Sequence, residues 1–430
     1  MNFNEAMDYI ENTTKFGMNL GLQRINKLLE YMGNPEKELK CIHIAGTNGK
    51  GSITTMISDI LAECGYRVGV YTSPYLQRFS ERIRINEAEI TNEDIARLTT
   101  EIAPIVDRII SEGLEHPTEF EIITAMMFKY FKEKNVDYAV LEVGLGGRLD
   151  STNVINPVLA VITSIDFDHM SVLGNTLGEI AGEKAGIIKE NGTVVIYPQQ
   201  KEAHDVIKKT CIDKNARLIE VKEEGINLKS YSMDGQVFDT EFEDETLKDI
   251  HINLLGEYQL LNAKTAIASA KALQELGINI SKECIYNGLR KSKWPGRLEV
   301  MKKSPIILLD GAHNLQGIKS LEKAVRKYFD YKRLIAVMGI LSDKQVEDMC
   351  EVFMPLADVI VTVTPDSDRA LPAEELSKIA RKYCDTVITG ESIEAAFKKV
   401  MAMAQPDDMV VFCGSLYMIG HVRTLVENFR

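Results

Sequence analysis

Residues 46–52 read Gly-Thr-Asn-Gly-Lys-Gly-Ser, three glycines around one lysine. The run Lys40–Ala45 (KCIHIA) comes directly before them, and its apolar character predicts a strand. Behind them Ile53, Met56, Ile57, Ile60, Leu61 and Cys64 recur at three- and four-residue spacing, which predicts a helix stopped by Gly65. A glycine-rich turn between a strand and a helix start leaves few folds open. Its backbone N–H groups can curl around an anion, and the helix N-terminus adds partial positive charge. Lys50 is then placed to reach the outer phosphates of a nucleotide, and Ser52 to offer its hydroxyl to Mg2+. The order G-x-x-G-K-G-S is shorter before the lysine than G-x-x-x-x-G-K-[ST] and carries Gly51 after it. An ordinary glycine turn is the plain alternative, but it leaves a lysine among three glycines unexplained.

The rest of the chain repeats strand–helix alternation. Residues 137–143 (DYAVLEV) and 158–165 are nearly continuous apolar runs, the pattern of a parallel sheet covered on both faces. Residues 66–72 predict another strand, and 118–132, 176–188 and 258–276 predict helices. Between 228 and 257 the pattern breaks into short strand-like pieces around the turn signal Asp234-Gly235. Trp294-Pro295-Gly296-Arg297 punctuates the chain, and a fresh series follows, with strands at 306–310, 334–339, 358–363, 386–389 and 409–413. The expected fold class is α/β, with a nucleotide-binding domain over 1–296 and a smaller Rossmann-like domain over 297–430.

Composition narrows the function. The formal net charge is −13, which gives no general reason to bind nucleic acid or anionic lipid. The seven cysteines are scattered without a C-x-x-C pair, so reduced core thiols and a cytoplasmic setting are expected. No uncharged stretch approaches the ~18 residues of a membrane span.

Ligands of an open α/β sheet gather beyond the carboxyl ends of its strands. Glu142 lies near such an end, and Asp168 and His169 follow the next strand. A carboxylate and an imidazole near phosphates suit a divalent cation, with Asp168 orienting the ring; a capping or core histidine is the alternative. Lys184 shares a helix face with Ile180, Ala181 and Ile188, so it faces inward, where it needs a salt bridge or a depressed pKa. Asp310, His313 and Asn314 end the first strand of the second domain. Arg297 could hold a phosphate bidentately, and Arg82 and Arg84 could recognise a carboxylate or be a solvated edge. A dinucleotide fingerprint is weak, since Gly144, Gly146 and Gly147 give only G-x-G-G.

Taken in order, GTNGKGS (46–52), TSPYL (72–76), SERIRIN (80–86), EVGLGGRLDSTN (142–153), DHMSVLGNTLGEIAGEKAGIIK (168–189), WPGRLE (294–299), DGAHN (310–314), MGILSDKQ (338–345) and GSLYMIG (414–420) resemble the folylpolyglutamate synthase/dihydrofolate synthase family of the Mur ligase superfamily. The resemblance spans nearly the whole chain. It implies a Mur-ligase-like central domain with a P-loop. The implied activity is an ATP-dependent ligase that joins L-glutamate to a folate or dihydropteroate carboxylate through an acyl phosphate.

The same resemblance assigns roles. Thr47, Asn48, Gly49, Lys50, Gly51 and Ser52, with Asn262, Arg297 and Asp310, match ATP contacts. Ser52, Ser73, Glu142, His169 and a carbamylated Lys184 match the apparatus for two Mg2+ ions. Lys50, Lys184 and His313 match catalytic positions. Arg82, Phe120, Glu121, His313 and Ser415 match substrate contacts, with 117–121 part of a pterin wall. A monomer with small-molecule partners is expected. Where many relatives carry S-P-H-L, this chain has Tyr75, which puts any imidazole role there in doubt. Another Mur-type ligase, acting for instance on cell-wall precursors, and a non-catalytic nucleotide-binding protein are the competing readings.

Overall fold

The computed structural model describes residues 1–17, 19–243 and 245–429. Contacts divide the chain into two compact units. The first holds Met1–Ile226, Thr240–Ile250 and Leu261–Ser292, and the second holds Asn227–Asp239, His251–Leu260 and Lys293–Arg430.

The first unit is built on an eight-stranded sheet in the order β4-β3-β2-β5-β1-β6-β7-β8. Its strands are β1 Cys41–Ala45, β2 Val68–Tyr71, β3 Ile83–Ile85, β4 Ala88–Glu89, β5 Tyr138–Glu142, β6 Leu159–Ile162, β7 Thr193–Ile196 and β8 Arg217–Glu220. The six strands from β2 to β8 in that order run parallel, and β3 and β4 turn back antiparallel at one edge. Strand β1 is central, with Ile44 opposite both Glu142 and Val161. Every residue of β1, β5 and β6 is buried, which explains their unbroken apolar runs.

Ten helices accompany this unit among the described residues: α1 Phe3–Glu11, α2 Gln23–Tyr31, α3 Lys50–Glu63, α4 Asn92–Ser111, α5 Glu119–Glu133, α6 Met170–Leu173, α7 Leu177–Ala185, α8 Lys201–Asp213, α9 Glu257–Glu275 and α10 Lys282–Lys291. The expected capping box on α7 is present, Thr176 accepting from the Glu179 amide and Glu179 from the Thr176 amide. Helix α5 carries a second one, between Thr118 and Glu121. One apolar cluster joins α2, α4 and α5 to Tyr71, Ala139 and Leu141. Another joins α7 and α8 to Ala160, Ile162, Val194 and Ile196.

A three-stranded sheet, in the order β11-β10-β9, forms from β9 Ile226–Ser232, β10 Gly235–Phe242 and β11 Glu245–Ile252. It is the small β excursion expected over 228–257, with the Asp234-Gly235 turn between its first two strands. The second unit's main sheet has six strands in the order β12-β13-β17-β14-β15-β16: β12 Glu299–Lys303, β13 Ile306–Asp310, β14 Arg333–Met338, β15 Val359–Thr362, β16 Val387–Thr389 and β17 Asp408–Cys413. All are parallel except the edge strand β12. Helices α11 Leu315–Tyr328, α12 Val346–Phe353, α13 Ala373–Ala380, α14 Ile393–Met403 and α15 Leu416–Asn428 alternate with them.

One expectation fails. Cys64, at the end of α3, and Cys284, in the first turn of α10, form a disulfide with a Cα–Cα distance of 5.4 Å. The two helices meet because Gly288 has no side chain: a Cβ there would stand 2.5 Å from the Ile60 backbone. A pair made by such packing, 220 positions apart, leaves no spacing signal in the sequence. The remaining cysteines are free thiols, as expected, and all but Cys384 are buried. No helix among the described residues is long and apolar enough to cross a membrane.

Candidate active site

The loop after β1 is pinned to the loop after β6. The Thr47 amide donates to the Ser164 carbonyl at 2.7 Å, and the Thr47 hydroxyl to the Asp166 carbonyl at 3.1 Å. The hydroxyls of Thr163 and Ser164 both donate to the Asn48 carbonyl, at 2.7 and 3.2 Å. Gly46 has φ +151°, and a Cβ on it would lie 1.8 Å from Thr163 Oγ1. Gly49, at φ +87°, caps α3, and a Cβ there would lie 2.8 Å from Asn262 Oδ1. Glycine is therefore required twice, once for the sheet end and once for the approach of α9. Asn262 of α9 stands against the loop at Gly49, and α3 begins at Lys50 with Gly51 and Ser52 buried in its first turn. Thr163 and Ser164 were not singled out from the sequence; two hydroxyls directly after an apolar strand were the available signal.

Two lysines converge on one carbonyl. Lys50 Nζ donates to the oxygens of Gly46 and Thr47, each at 3.1 Å. Lys184 Nζ, from α7, donates to the same Gly46 oxygen at 2.9 Å. Lys184 is only 3% exposed, as its inward helical position requires. Burial, and next the positive charge of Lys50, push its pKa down from 10.5 to about 7; Asp168 and Asp150 oppose the shift. No carboxylate forms a salt bridge with it among the described residues.

Glu142 ends β5, one strand from the loop, and is 4% exposed. His169 precedes α6 with φ +48°, and Asp168 Oδ1 accepts its amide at 2.9 Å while lying 3.9 Å from Nε2. Ser73 is half-buried in the segment after β2. Ser52, Ser73, Glu142 and His169 carry the oxygen and imidazole donors that suit a hard divalent cation, but among the described residues no three or more His, Cys, Asp or Glu side chains stand together so as to hold a metal ion.

A second group of residues gathers around α5. Arg82 is 12% exposed in its side chain, lies 3.9 Å from Glu119 and has its guanidinium 5.2 Å from the centre of the Tyr75 ring. Its Nε is buried without a hydrogen-bond partner. Arg84 instead lies near Asp59, which opposes the burial-driven fall of its pKa. Phe120 packs on Gly144, where a Cβ would stand 2.5 Å from the ring. Glu121 is drawn elsewhere: its Oε2 accepts from Arg24 Nε at 3.0 Å and from the Thr118 amide at 2.7 Å. It closes the helix cap and satisfies a buried arginine.

In the second unit Asp310 ends β13, and burial raises its pKa against the pull of Arg297. Its oxygens accept the amides of Leu298 and Ala312, each at 2.8 Å, so the carboxylate holds the turn that carries Arg297. His313 Nδ1 is 2.8 Å from the Gly311 carbonyl. Asn314 caps α11 through the Gly317 amide. Ser415 precedes α15 with its hydroxyl buried and without a hydrogen-bond partner.

Comparison with known proteins agrees with this geometry. Residues 44–270 match the Mur ligase middle domain, and residues 296–416 match the Mur ligase glutamate ligase domain. The dihydrofolate synthase/folylpolyglutamate synthase of Bacillus subtilis is 38% identical over 98% of this chain and 98% of its own length. The folylpolyglutamate synthase of Mycobacterium tuberculosis, solved with ADP, superposes with a TM-score of 0.91 at 32% identity, covering 99% of each chain. E. coli FolC, solved with DHPP and ADP, superposes with a TM-score of 0.88 at 29% identity over 100% of this chain and 98% of that one.

Proposed function

The chain belongs to the folylpolyglutamate synthase/dihydrofolate synthase family of the Mur ligases, and from that premise we propose how its own residues carry out the reaction. It is an ATP-dependent ligase that adds glutamate to a folate-type acid. The carboxylate of the acid attacks the γ-phosphorus of ATP; ADP leaves and an acyl phosphate forms. The amine of L-glutamate then attacks the acyl carbon, the amide bond forms, and phosphate and a proton leave.

In this reading residues 47–52 cradle the phosphates, and Asn262, Arg297 and Asp310 contact the nucleotide. Lys50 leaves the Gly46 and Thr47 carbonyls for the outer phosphates, where it stabilises charge developing on the transferred group. Ser52, Ser73, Glu142, His169 and Lys184 would hold Mg2+, at two sites. The cations would neutralise phosphate charge during transfer. Lys184 serves there as a carbamate. An amine with its pKa pushed down to about 7 is about half neutral near neutral pH, and the neutral fraction is nucleophilic, so it can add CO2, release a proton and become an anionic ligand. Arg82 holds a carboxylate of the acid or of glutamate, Phe120 lines the pterin, and His313 and Ser415 orient glutamate. Glu121 contributes by fixing the start of α5 beneath that wall. A cytoplasmic monomer with small-molecule partners is the setting we propose.

The observation that carries this reading is the meeting of Lys50 and Lys184 on one carbonyl of a nucleotide-type loop. The test is a product assay with Mg-ATP, bicarbonate and L-glutamate, offering dihydropteroate or tetrahydrofolate. Amide product and one ADP per amide are expected only when acid and glutamate are both present. No amide from either acceptor overturns the reading; the ratio of the two rates tells first-glutamate from later-glutamate addition.

A further inference from the structure

The reaction scheme leaves unused a chain of polar groups buried beneath the loop that follows β5. His43 is in the middle of β1 with 0% exposure, between Leu141 and Ala160 of the neighbouring strands. Its Nε2 lies 2.8 Å from the hydroxyl of Thr152, itself 0% exposed. That hydroxyl donates to Oδ1 of Asp150, a residue 4% exposed. A hydroxyl has one proton. Given to Asp150, it leaves the Thr152 oxygen as an acceptor, so the network assigns the imidazole proton to Nε2. Nδ1 is then a bare lone pair, buried and without a hydrogen-bond partner. An imidazole kept in an apolar sheet with one nitrogen unsatisfied is unfavourable for stability alone.

Asp150 spreads the restraint along the loop. Oδ1 also accepts the Thr152 amide at 3.0 Å, and Oδ2 accepts the Leu145 amide at 2.9 Å, closing residues 145–150 on themselves. The loop also meets two groups assigned to the reaction. Gly144 lies under the Phe120 ring. Gly147 packs on α7, where a Cβ would stand 3.0 Å from the Lys184 carbonyl oxygen, and the Arg148 amide donates to the Glu183 carbonyl at 2.7 Å. Asn153 Nδ2 then spans the Arg148 and Gly186 carbonyls, at 3.0 and 3.1 Å.

We propose that His43 and Thr152 are positioning residues for the ligation. They form a strut from the central strand through Asp150 that fixes the loop 144–150, and with it the seating of Phe120 and Lys184. The proposal rests on the roles given to those two residues above.

Thr152→Val keeps the shape and removes the hydroxyl. The expected result is a kcat lowered about ten-fold, equivalent to ~1.4 kcal/mol, and a KM for the folate-type acid raised severalfold. The Kd for ATP should stay within two-fold, because the nucleotide loop is pinned separately through Thr163 and Ser164. Thr152→Ser, which restores the hydroxyl, should recover most of the loss. His43→Leu should repeat the defect, and His43→Gln, whose amide keeps a donor, should lessen it. Kinetics of Thr152→Val equal to wild type, or a serine variant as impaired as the valine one, would overturn the strut. So would a parallel loss of ATP affinity, the mark of a merely structural role. Hydrogen exchange at the Leu145 and Thr152 amides reads the strut without turnover. It should quicken at least ten-fold in Thr152→Val, and unchanged exchange refutes the idea. If wild-type enzyme makes no amide while exchange quickens as stated, the ligase reading fails and the strut stands as a restraint on the loop.

Discussion

The loop 46–52 and the segment 72–82 both follow parallel strands of one sheet, yet they are held in opposite ways. The first is fixed through its backbone: the Thr47 amide and the Asn48 carbonyl are bonded to residues 163–166, and two glycines admit no Cβ. The second is arranged through side chains: Arg82 stands between an exposed Tyr75 and a carboxylate 3.9 Å away, with one buried nitrogen still available. Backbone-made sites tolerate little variation and recognise what all nucleotides share. Side-chain-made sites can be retuned by single exchanges, and here Tyr75 is the exposed member of the set.

If that contrast is right, Gly46→Ala is the most damaging single change. Its methyl group would overlap Thr163 in a backbone region that L-residues avoid. We expect ATP affinity to fall by at least about 100-fold, roughly 3 kcal/mol, by calorimetry, with circular dichroism reporting whether the sheet survives. An alanine enzyme that binds ATP normally would break the comparison.

Lys184→Ala should lower kcat by about 100-fold with a smaller effect on ATP affinity, and excess formate or acetate should restore part of the rate. Full activity in the plain variant removes the carbamate. Glu142→Ala should likewise depress turnover more than binding.

On the side-chain-made half, Arg82→Ala should raise KM for one of the two carboxylate substrates about ten-fold, ~1.4 kcal/mol, and leave the Kd for ATP unchanged. Tyr75→His should shift the same KM by a few-fold only. Equal changes in ATP affinity would show that the two segments are not independent.

The smallest effect is on stability. Burial, aided by the charge of Lys189, pushes His43 down from 6.5 to about 3. Below pH 6.5 the unfolded chain takes up a proton that the folded one refuses. This contribution is therefore complete above 6.5 and is lost as pH falls toward 3, by at most ~1.4 kcal/mol per pH unit. Urea unfolding at pH 7 and 5 should show the slope in wild type and a shallower one in His43→Leu.

Much of the strand, glycine loop and helix at 41–63 was legible in the sequence, because its determinants are local. Glycines at 46 and 49, the strand before them and the helix after them are neighbours in the chain, and the inward turn of Lys184 followed from Ile180, Ala181 and Ile188. The surroundings of α5 were less legible. Glu121 resembles a substrate contact, but its carboxylate meets Arg24, 97 residues away, a partner that no spacing discloses. His43 was hidden within KCIHIA as one more strand residue, since its partner Thr152 arrives 109 positions later. Helices α1, α2 and α4 were not anticipated, although their apolar faces build the core beside Tyr71 and Leu141.

The Cys64–Cys284 bond has a topological consequence. It closes everything between α3 and α10 into a covalent ring that contains Glu142, His169, Lys184 and Asn262. A protease cutting once anywhere on that ring linearises it without releasing a fragment, so the chain keeps its full mass until a thiol reductant is added. Ring closure of this span also thins the ensemble of denatured conformers, by an amount worth about 5 kcal/mol in the chain-entropy view. In that view the restraint on this span sits in two sulfur atoms, at the far end of α3 from the loop 46–52.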